Sequence, residues 1–567
     1  MFAMESSHLR RYPRGQVMKR RLSIFVIIVA VLLVFAPAAM FEFVEWDDNQ
    51  LITGNPYVVP PTLGGALTAW QKPYQHLYIP LTYNAWALLA SAGDPGGAAG
   101  MPNPYLFHTA NIILHLGSAL LLYGIARRVV GSVWPAAACA ILWAVHPLQV
   151  EAVAWATGMK DVLSGFLAML ALHIYIRGAT ASSRSRLHAW WYVLSGLCLG
   201  MASLAKPGVM TVPLVALAID VGLLKRPWKT VLGCLAPMLV AVVPSVVVTM
   251  LVQPTGGLHL CELWQRPFIA GHAMATYLLK LVWPGALSID YGLSPQYVLQ
   301  GRWIWFAWIV PLCVAVAAWS YRPLRRELNS GLAIFVLVLA PVLGLMPFLF
   351  QVYSTVADRY VYLAMIGPGL ALAYLLERAP RRYAVVGGVV VLAALAARSM
   401  VQVQTWRDTD ALLEHTMAVN PRSYLAQNNL GTLLINRGAR LLRQAQSQED
   451  AAGGKAMMDA GESHLKKALE IWGDYPAAWD ALSTYYLKTG RIEEGLDTWQ
   501  KAVDAYDRMP PSLMERSRMR VALAQACLRN GRREQAIINL KAFLQRHPGD
   551  TEATELLHQA TPSHSGN

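Results

Sequence analysis

Two adjacent carboxylates, Asp47 and Asp48, follow the first hydrophobic segment of the chain within Glu45-Trp46-Asp47-Asp48-Asn49. A carboxylate beside a bilayer has a raised pKa and can serve as a general base on a lipid-carried substrate. The plain alternative is a hydrated loop or a helix cap, which is what most acidic pairs outside a membrane are. The pair gains weight from its company. His146-Pro147-Leu148-Gln149-Val150-Glu151 ends one apolar segment, and Lys160-Asp161 opens the next. Ala205-Lys206-Pro207-Gly208 joins two more, and Ala357-Asp358-Arg359-Tyr360-Val361-Tyr362 begins a later one. Each also has a bland reading: Lys206 can snorkel, Asp358-Arg359 can pair or cap, and His146 can bond a backbone carbonyl. Ionisable residues at such places are functional candidates by default, and acids, bases and cations on one face strengthen one another's case.

The elements that must position these residues are membrane spans. The chain of 567 residues is 55% hydrophobic and only 14% charged, too apolar for an ordinary soluble protein. Its net charge of +14 does not point to nucleic acid, because the basic residues sit in short loops between apolar segments, where the positive-inside rule places them. Segments of spanning length fall near 22–40, 106–126, 132–148, 161–177, 188–205, 208–223, 230–252, 303–320, 331–350, 360–376 and 384–401, about eleven in all. Basic clusters at Arg10 to Arg21, Arg127-Arg128, Arg177 to Arg186, Lys225 to Lys229, Arg322 to Arg326 and Arg378 to Arg382 occupy every second connection. That alternation puts those connections in the cytoplasm. Connections 41–105, 146–160, 205–208, 253–302 and 351–359 then face the other side, and an odd number of spans places the C-terminal region there too. Phe268 to Trp283 is apolar but short and contains His272 and Lys280, which reads as an interfacial or re-entrant helix. Were it to span, the tail would move to the cytoplasm.

The first apolar stretch, after Arg14, Lys19, Arg20 and Arg21, is long for a signal peptide, and Ala36-Pro37-Ala38 is a weak cleavage site. It reads as a retained span. Of six cysteines, Cys139, Cys198, Cys234 and Cys313 fall in apolar spans as small buried hydrophobes, while Cys261 and Cys527 lie outside them. No disulfide or metal spacing follows. Frequent Ala, Gly and Arg with short loops suggests a bacterial chain, whose outer face is periplasmic; in a eukaryotic cell the same face is the endoplasmic reticulum lumen.

From about Trp406 a period near 34 residues appears. Trp479, Leu482, Tyr486, Gly490, Trp499 and Ala502 have the spacing of a tetratricopeptide helix pair, and Leu523, Ala524, Gly531, Ala536, Leu540 and Pro548 repeat it. An earlier unit, Leu430, Gly431, Leu434 and Gly438, is interrupted by a polar insertion from about Arg440 to Lys455 before Leu465 and Ala468. A half unit, Ala411 to Pro421, leads in. Small residues let antiparallel helices approach while aromatic residues and leucines fill the gaps. Such an array serves either as a packing module or as a groove for a polypeptide. The expected organisation is a basic N-terminus 1–21, a membrane domain 22–403 with an outer loop 41–105, a repeat domain 404–560 and a disordered tail 561–567. The fold class is all-α.

The set Trp46-Asp47-Asp48, His146-Pro147 with Glu151-Ala152-Val153, Lys160-Asp161, Leu204-Ala205-Lys206 and Ala357-Asp358-Arg359-Tyr360-Val361-Tyr362-Leu363 resembles the transmembrane and tetratricopeptide-repeat-containing (TMTC) protein O-mannosyltransferases and their bacterial relatives. The resemblance continues through Gln404-Thr405-Trp406, Asn420-Pro421 and Asn429-Leu430-Gly431. Here the repeat tail is shorter than in the animal proteins, and Pro207 follows Lys206 where those usually have an acid. The resemblance implies a GT-C-like glycosyltransferase bundle that draws a sugar, mannose by analogy, from a polyprenyl-phosphate carrier. A protein hydroxyl accepts it, guided by the repeats. Asp47 matches the first acid of the family's pair and is the implied base. Asp48 would orient the acceptor, raise the basicity of Asp47 or help hold a metal. Arg359 would grip the leaving phosphate, with Lys206 and Lys160 in reserve and His146, Glu151, Asp161, Asp358 and Tyr360 in support. No cofactor is certain, and a divalent cation (Mg or Mn) stays open. Membrane lipid is a partner and nucleic acid is not. A membrane-anchored repeat scaffold and a transporter are the alternatives. A transporter would favour charges deep within spans and repeated halves.

Overall fold

Apolar segments that meet lipid on one side and protein on the other must satisfy every backbone polar group internally, so they form helices. The computed structural model describes residues 14–93, 101–181, 188–252, 261–509 and 518–561. Arg10, Arg11 and most of the expected tail, 562–567, lie outside the described residues. Two compact units are present: the described residues up to Leu412, apart from 290–292, and a second unit from Leu413 onwards.

In the first unit most of the expected spans are helical, but the one expected at 331–350 stops being helical after Val342, and the one at 360–376 becomes a continuous helix only from Ile366. Among the described residues six helices are individually long and apolar enough to cross a membrane: Gly15–Met40, Pro104–Val130, Ala156–Ala179, Trp228–Val252, Arg302–Ser320 and Val385–Trp406. Val133–Val145 with Pro147–Ala154 makes a seventh if counted as one span bent by 52°. Ala189–Ala205 and Pro207–Leu223 are apolar but shorter. Length alone therefore supports fewer spans than hydropathy suggests. The reason is local: Pro207 and Pro213 interrupt one segment, and the helix Arg325–Leu339 opens on charged residues.

Cap chemistry sets the helix ends. Asn103 accepts a hydrogen bond from the Tyr105 N–H and Pro104 occupies the first turn, while Arg127 and Arg128 face the C-terminal dipole before Gly131 at φ 91°. Residues 41–105 are more than a connecting loop. They contain the helices Leu63–Thr68 and Pro80–Gly93, and Ile52, Val58, Ile79, Tyr83 and Trp86 bury a core with Phe107, Ala156 and Met159. The 268–283 segment lies in the helix Arg266–Val282, which buries Ile269, Ala273 and Tyr277 and exposes Leu279 and Val282. Cys313, expected to be buried, is exposed on the helix Ile309–Ser320.

The second unit is a succession of antiparallel helix pairs: Tyr424–Gln444 with Gln448–Ile471, Pro476–Lys488 with Ile492–Asp507, and Met519–Arg529 with Arg533–Arg546. Gly490 and Gly531 turn the last two pairs with φ of 80° and 78°, a left-handed geometry that favours glycine. The polar stretch 440–455 does not interrupt the first pair. It lengthens both helices, with Ser447 capping the second through the Asp450 N–H and Glu449 and Asp450 in its first turn. Two glycine contacts make this possible. A Cβ on Gly438 would lie 2.5 Å from the Gly454 carbonyl oxygen, and one on Gly431 2.9 Å from that of Gly461. Gly438→Ala is thus expected to cost about 1–3 kcal/mol through overpacking. Gly453→Ala meets only Leu441 Cδ2 at 3.7 Å and should gain up to about 1 kcal/mol from helix propensity. Denaturant unfolding of the full chain, with hydrogen exchange followed over 424–471, distinguishes the two signs.

Candidate functional site

The site is built where helices break. Pro147 lacks an N–H and bends its span after Val145, and the bend carries Glu151 and Trp155 to the helix ends. A second turn, Ala156–Gly158, connects to the helix Met159–Ala179, which opens with Lys160 and Asp161. Only glycine fits at 158, because a Cβ would collide with the Ala152 carbonyl. Lys206 is presented by the end of the helix His188–Ala205, whose last carbonyl accepts a hydrogen bond of 2.9 Å from Thr82 Oγ1. Arg359 and Tyr360 come from the short turn Asp358–Val361, pinned by Tyr277, whose hydroxyl accepts from the Ala357 N–H at 3.1 Å.

Acids and cations meet here in pairs. Glu151 takes up Arg359 with both oxygens, one through the guanidinium and the other at 3.2 Å through the backbone N–H. Asp161 pairs with Lys206. Lys160 Nζ stands 3.8 Å from Asp47 Oδ2. Glu151 and Asp161 side chains are 3% and 6% exposed, whereas that of Asp47 is 40% exposed. Aromatic rings join the pairs. Trp155 lies under Lys160 at 4.6 Å and near Arg359 at 5.8 Å, and Tyr360 lies 5.1 Å from Arg359 and 5.8 Å from Lys206. Phe350 covers Arg359 at 4.4 Å. Ring faces attract cations without neutralising them; it is the carboxylates that balance the charge. The Trp155 indole N–H and Asp161 Oδ2 are buried and have no hydrogen-bond partner among the described residues, so a donor and an acceptor stand ready for one.

Asp48 faces the other way. It is fully buried, one oxygen accepting from the Thr157 N–H at 3.0 Å and from the Thr157 hydroxyl, the other from the Val44 N–H at 3.0 Å. It ties the outer strap 44–48 to the 156–158 turn. The strap is also held at Glu45 by Thr409, and just before it the Glu42 N–H donates to the Arg407 carbonyl. Its geometry is that of a positioning residue, with Asp47 beside it turned outward. His146 is likewise structural: Nδ1 accepts from the Leu148 N–H and Nε2 meets the Leu281 carbonyl, so both nitrogens serve the bend. Asp358 is buried at the first position of its turn.

Trp155, Thr157, Phe350 and Tyr277 escaped the sequence reading. Trp155 left a signal, an aromatic residue between Glu151 and Lys160 in a segment with no other ring. Trp406, which the sequence marks as the start of the repeats and as part of a motif, stacks on Trp155 at 5.6 Å. Among the described residues no three His, Cys, Asp or Glu side chains gather as a metal cage. Asp48 and Glu151 each have both oxygens committed to protein partners, so they offer none to a resident cation.

Burial pushes the Asp48 carboxyl up from 3.8 to about 6, against the three hydrogen bonds that favour its ionised form. A raised acid pKa means that the folded state holds the proton more tightly. The contribution is present below the ordinary value and is lost as pH rises through about 4 to 6, by about 3 kcal/mol. Asp48→Asn should remove that slope, as read by hydrogen exchange of 44–48 against pH. Arg359→Ala and Glu151→Ala should each cost about 3–5 kcal/mol by stranding a buried charge. The double variant should cost clearly less than their sum in thermal unfolding.

Comparison with known proteins agrees with this architecture. Residues 517–560 match a tetratricopeptide repeat model. Protein O-mannosyl-transferase TMTC2 of Homo sapiens is 26% identical over 196 residues, 32% of this chain and 22% of that protein. Homo sapiens TMTC1 is 34% identical over 216 residues, 35% of this chain and 23% of that protein. The chain thus spans less than a quarter of the length of either relative. Among solved structures, ArnT from Cupriavidus metallidurans bound to undecaprenyl phosphate aligns over 88% of this chain and 82% of its own, at 17% identity and a TM-score of 0.34. That superposition is too loose to add to the residues themselves. With a unit of apolar helices and a repeat unit, the chain is similar over part of its length to the TMTC protein O-mannosyl-transferases.

Proposed function

We propose that this protein is an integral-membrane glycosyltransferase that moves a sugar from a polyprenyl-phosphate carrier to a hydroxyl of a protein acceptor. One arrangement supports the reading most: three cations gathered on the Trp155 and Tyr360 rings beside Asp47, the most open of their carboxylate partners. The acceptor oxygen attacks the anomeric carbon, and its proton passes to the Asp47 carboxylate. The bond from that carbon to the phosphate oxygen breaks, and its electron pair leaves with the phosphate. Direct displacement inverts the anomeric configuration.

The carrier phosphate changes from a diester to a monoester as the bond breaks, so its negative charge grows. Cations fixed beside it therefore stabilise the transition state more than the ground state. Arg359 presents a rigid fork to two phosphate oxygens, and Lys206 and Lys160 add point charges. Their carboxylate partners keep the assembly near neutrality, so three bare cations need not be held in a medium of low dielectric constant. By similarity to the relatives' named activity the sugar is mannose. The reaction would take place on the face away from the basic loops, periplasmic in a bacterial inner membrane, with the repeat unit receiving the acceptor polypeptide.

The test is transfer of radiolabelled mannose from a synthetic polyprenyl-phosphate donor to periplasmic protein. Asp47→Asn should lower transfer by ~10²–10⁴-fold, the range of general-base assistance, while the protein still folds and inserts. Full activity in that variant would remove Asp47 from the chemistry. Wild-type silence across a panel of donor sugars would favour the membrane-anchored scaffold.

A further inference from the structure

We propose that the groove between the 207–223 segment and the helix Arg325–Leu339 binds an anionic membrane phospholipid. The groove is a cavity of about 770 Å³. Its walls are apolar, formed by Leu214, Leu217 and Val221 on one side and by Ala333 and Leu337 on the other. Its mouth is lined by Arg322, Arg325 and Arg326 against one acid, Glu327, and by Trp228 and Trp319. It is remote from the candidate catalytic site: the 17-residue segment starting beyond Lys206 runs about 25 Å at helical rise before it reaches Leu223.

Two of the arginines are held in place. Arg325 donates from Nε to the Trp319 carbonyl at 2.7 Å and lies over the Trp319 ring at 4.9 Å. Arg326 caps the 207–223 segment by donating to the Gly222 carbonyl at 2.5 Å and to that of Val221. Arg322 stands exposed on the turn Arg322–Leu324, at the mouth. A fixed basic rim over an apolar slot matches one class of molecule in charge and polarity together. A soluble anion has no use for the apolar walls, and a neutral lipid has none for three guanidinium groups. A phospholipid with a net negative headgroup uses both, its phosphate on Arg322 and Arg325 and an acyl chain between the two helices. Basic pockets between spans are where such headgroups bind. Tryptophans at the rim suit the interfacial depth this requires.

Native mass spectrometry of the detergent-purified full chain tests this with phosphatidylglycerol, phosphatidylcholine, undecaprenyl phosphate and inorganic phosphate. Phosphatidylglycerol should be retained in preference to the others. Arg322→Gln should weaken it on the order of tenfold, the loss of one charge-assisted contact, and Arg322→Lys should recover part of that. Arg382→Gln, at the start of another helix, should leave binding unchanged. Equal retention of phosphatidylcholine would overturn the proposal, as would displacement by inorganic phosphate alone or preference for undecaprenyl phosphate. An Arg382→Gln effect as large as that of Arg322→Gln would reduce the binding to general charge attraction and overturn it too.

Discussion

An ionised side chain taken out of water costs several kcal/mol unless an opposite charge and hydrogen bonds compensate it, and the organisation of this membrane unit follows from that constraint. Arg359, Lys206 and Lys160 are each placed against a carboxylate, Glu151, Asp161 and Asp47 respectively. The pairs join five separate points of the chain, since Lys160 and Asp161 are adjacent, so forming them closes the bundle around the site. Trp155 sits at the junction, with cations on it from two directions and Trp406 stacked beside it. Removing a partner strands a charge in a poorly solvated place, and that specifies the arrangement more strongly than the net energy of any pair.

The same constraint explains why the site stands at helix breaks. A continuous helix consumes its own N–H groups, whereas a broken one frees them. The Thr157 N–H, released by the turn after Trp155, is the donor that holds Asp48, and the Arg359 N–H, released by the Asp358–Val361 turn, helps hold Glu151. Proline and glycine make these openings where they are needed. Pro147 bends one span, Pro207 starts another beside Lys206, and Gly158 lets the chain pass its own Ala152 carbonyl.

The two ends of the helices differ in electrostatic character. At one end acids match cations, and the exposed member is a carboxylate. At the other, arginines outnumber acids around an apolar groove. A balanced cluster suits chemistry in which charge moves during the reaction, while an unbalanced one attracts a permanent anion.

The sequence by itself determined the helical architecture, because long apolar runs have no alternative in lipid, and the helical repeats, because their small residues recur at a fixed period. It also marked which ionisable residues collect at span ends. What only the tertiary structure decided was pairing and direction. Asp47 and Asp48 are neighbours of the same type, and nothing in their order says that one faces inward to Thr157 and the other outward to Lys160. That depends on a turn more than 100 residues away. His146 read as a member of the polar cluster, yet both its nitrogens brace a bend against backbone atoms from 148 and 281. The stretch 440–455 read as an interruption because polarity was its visible property. Apart from the turn at 445–447 it is helical, and Gly438 and Gly454 let the two backbones touch, a contact that exists only once the helices are side by side. Hydropathy is a property of each residue and shows in one dimension, whereas partners are chosen by distance in three.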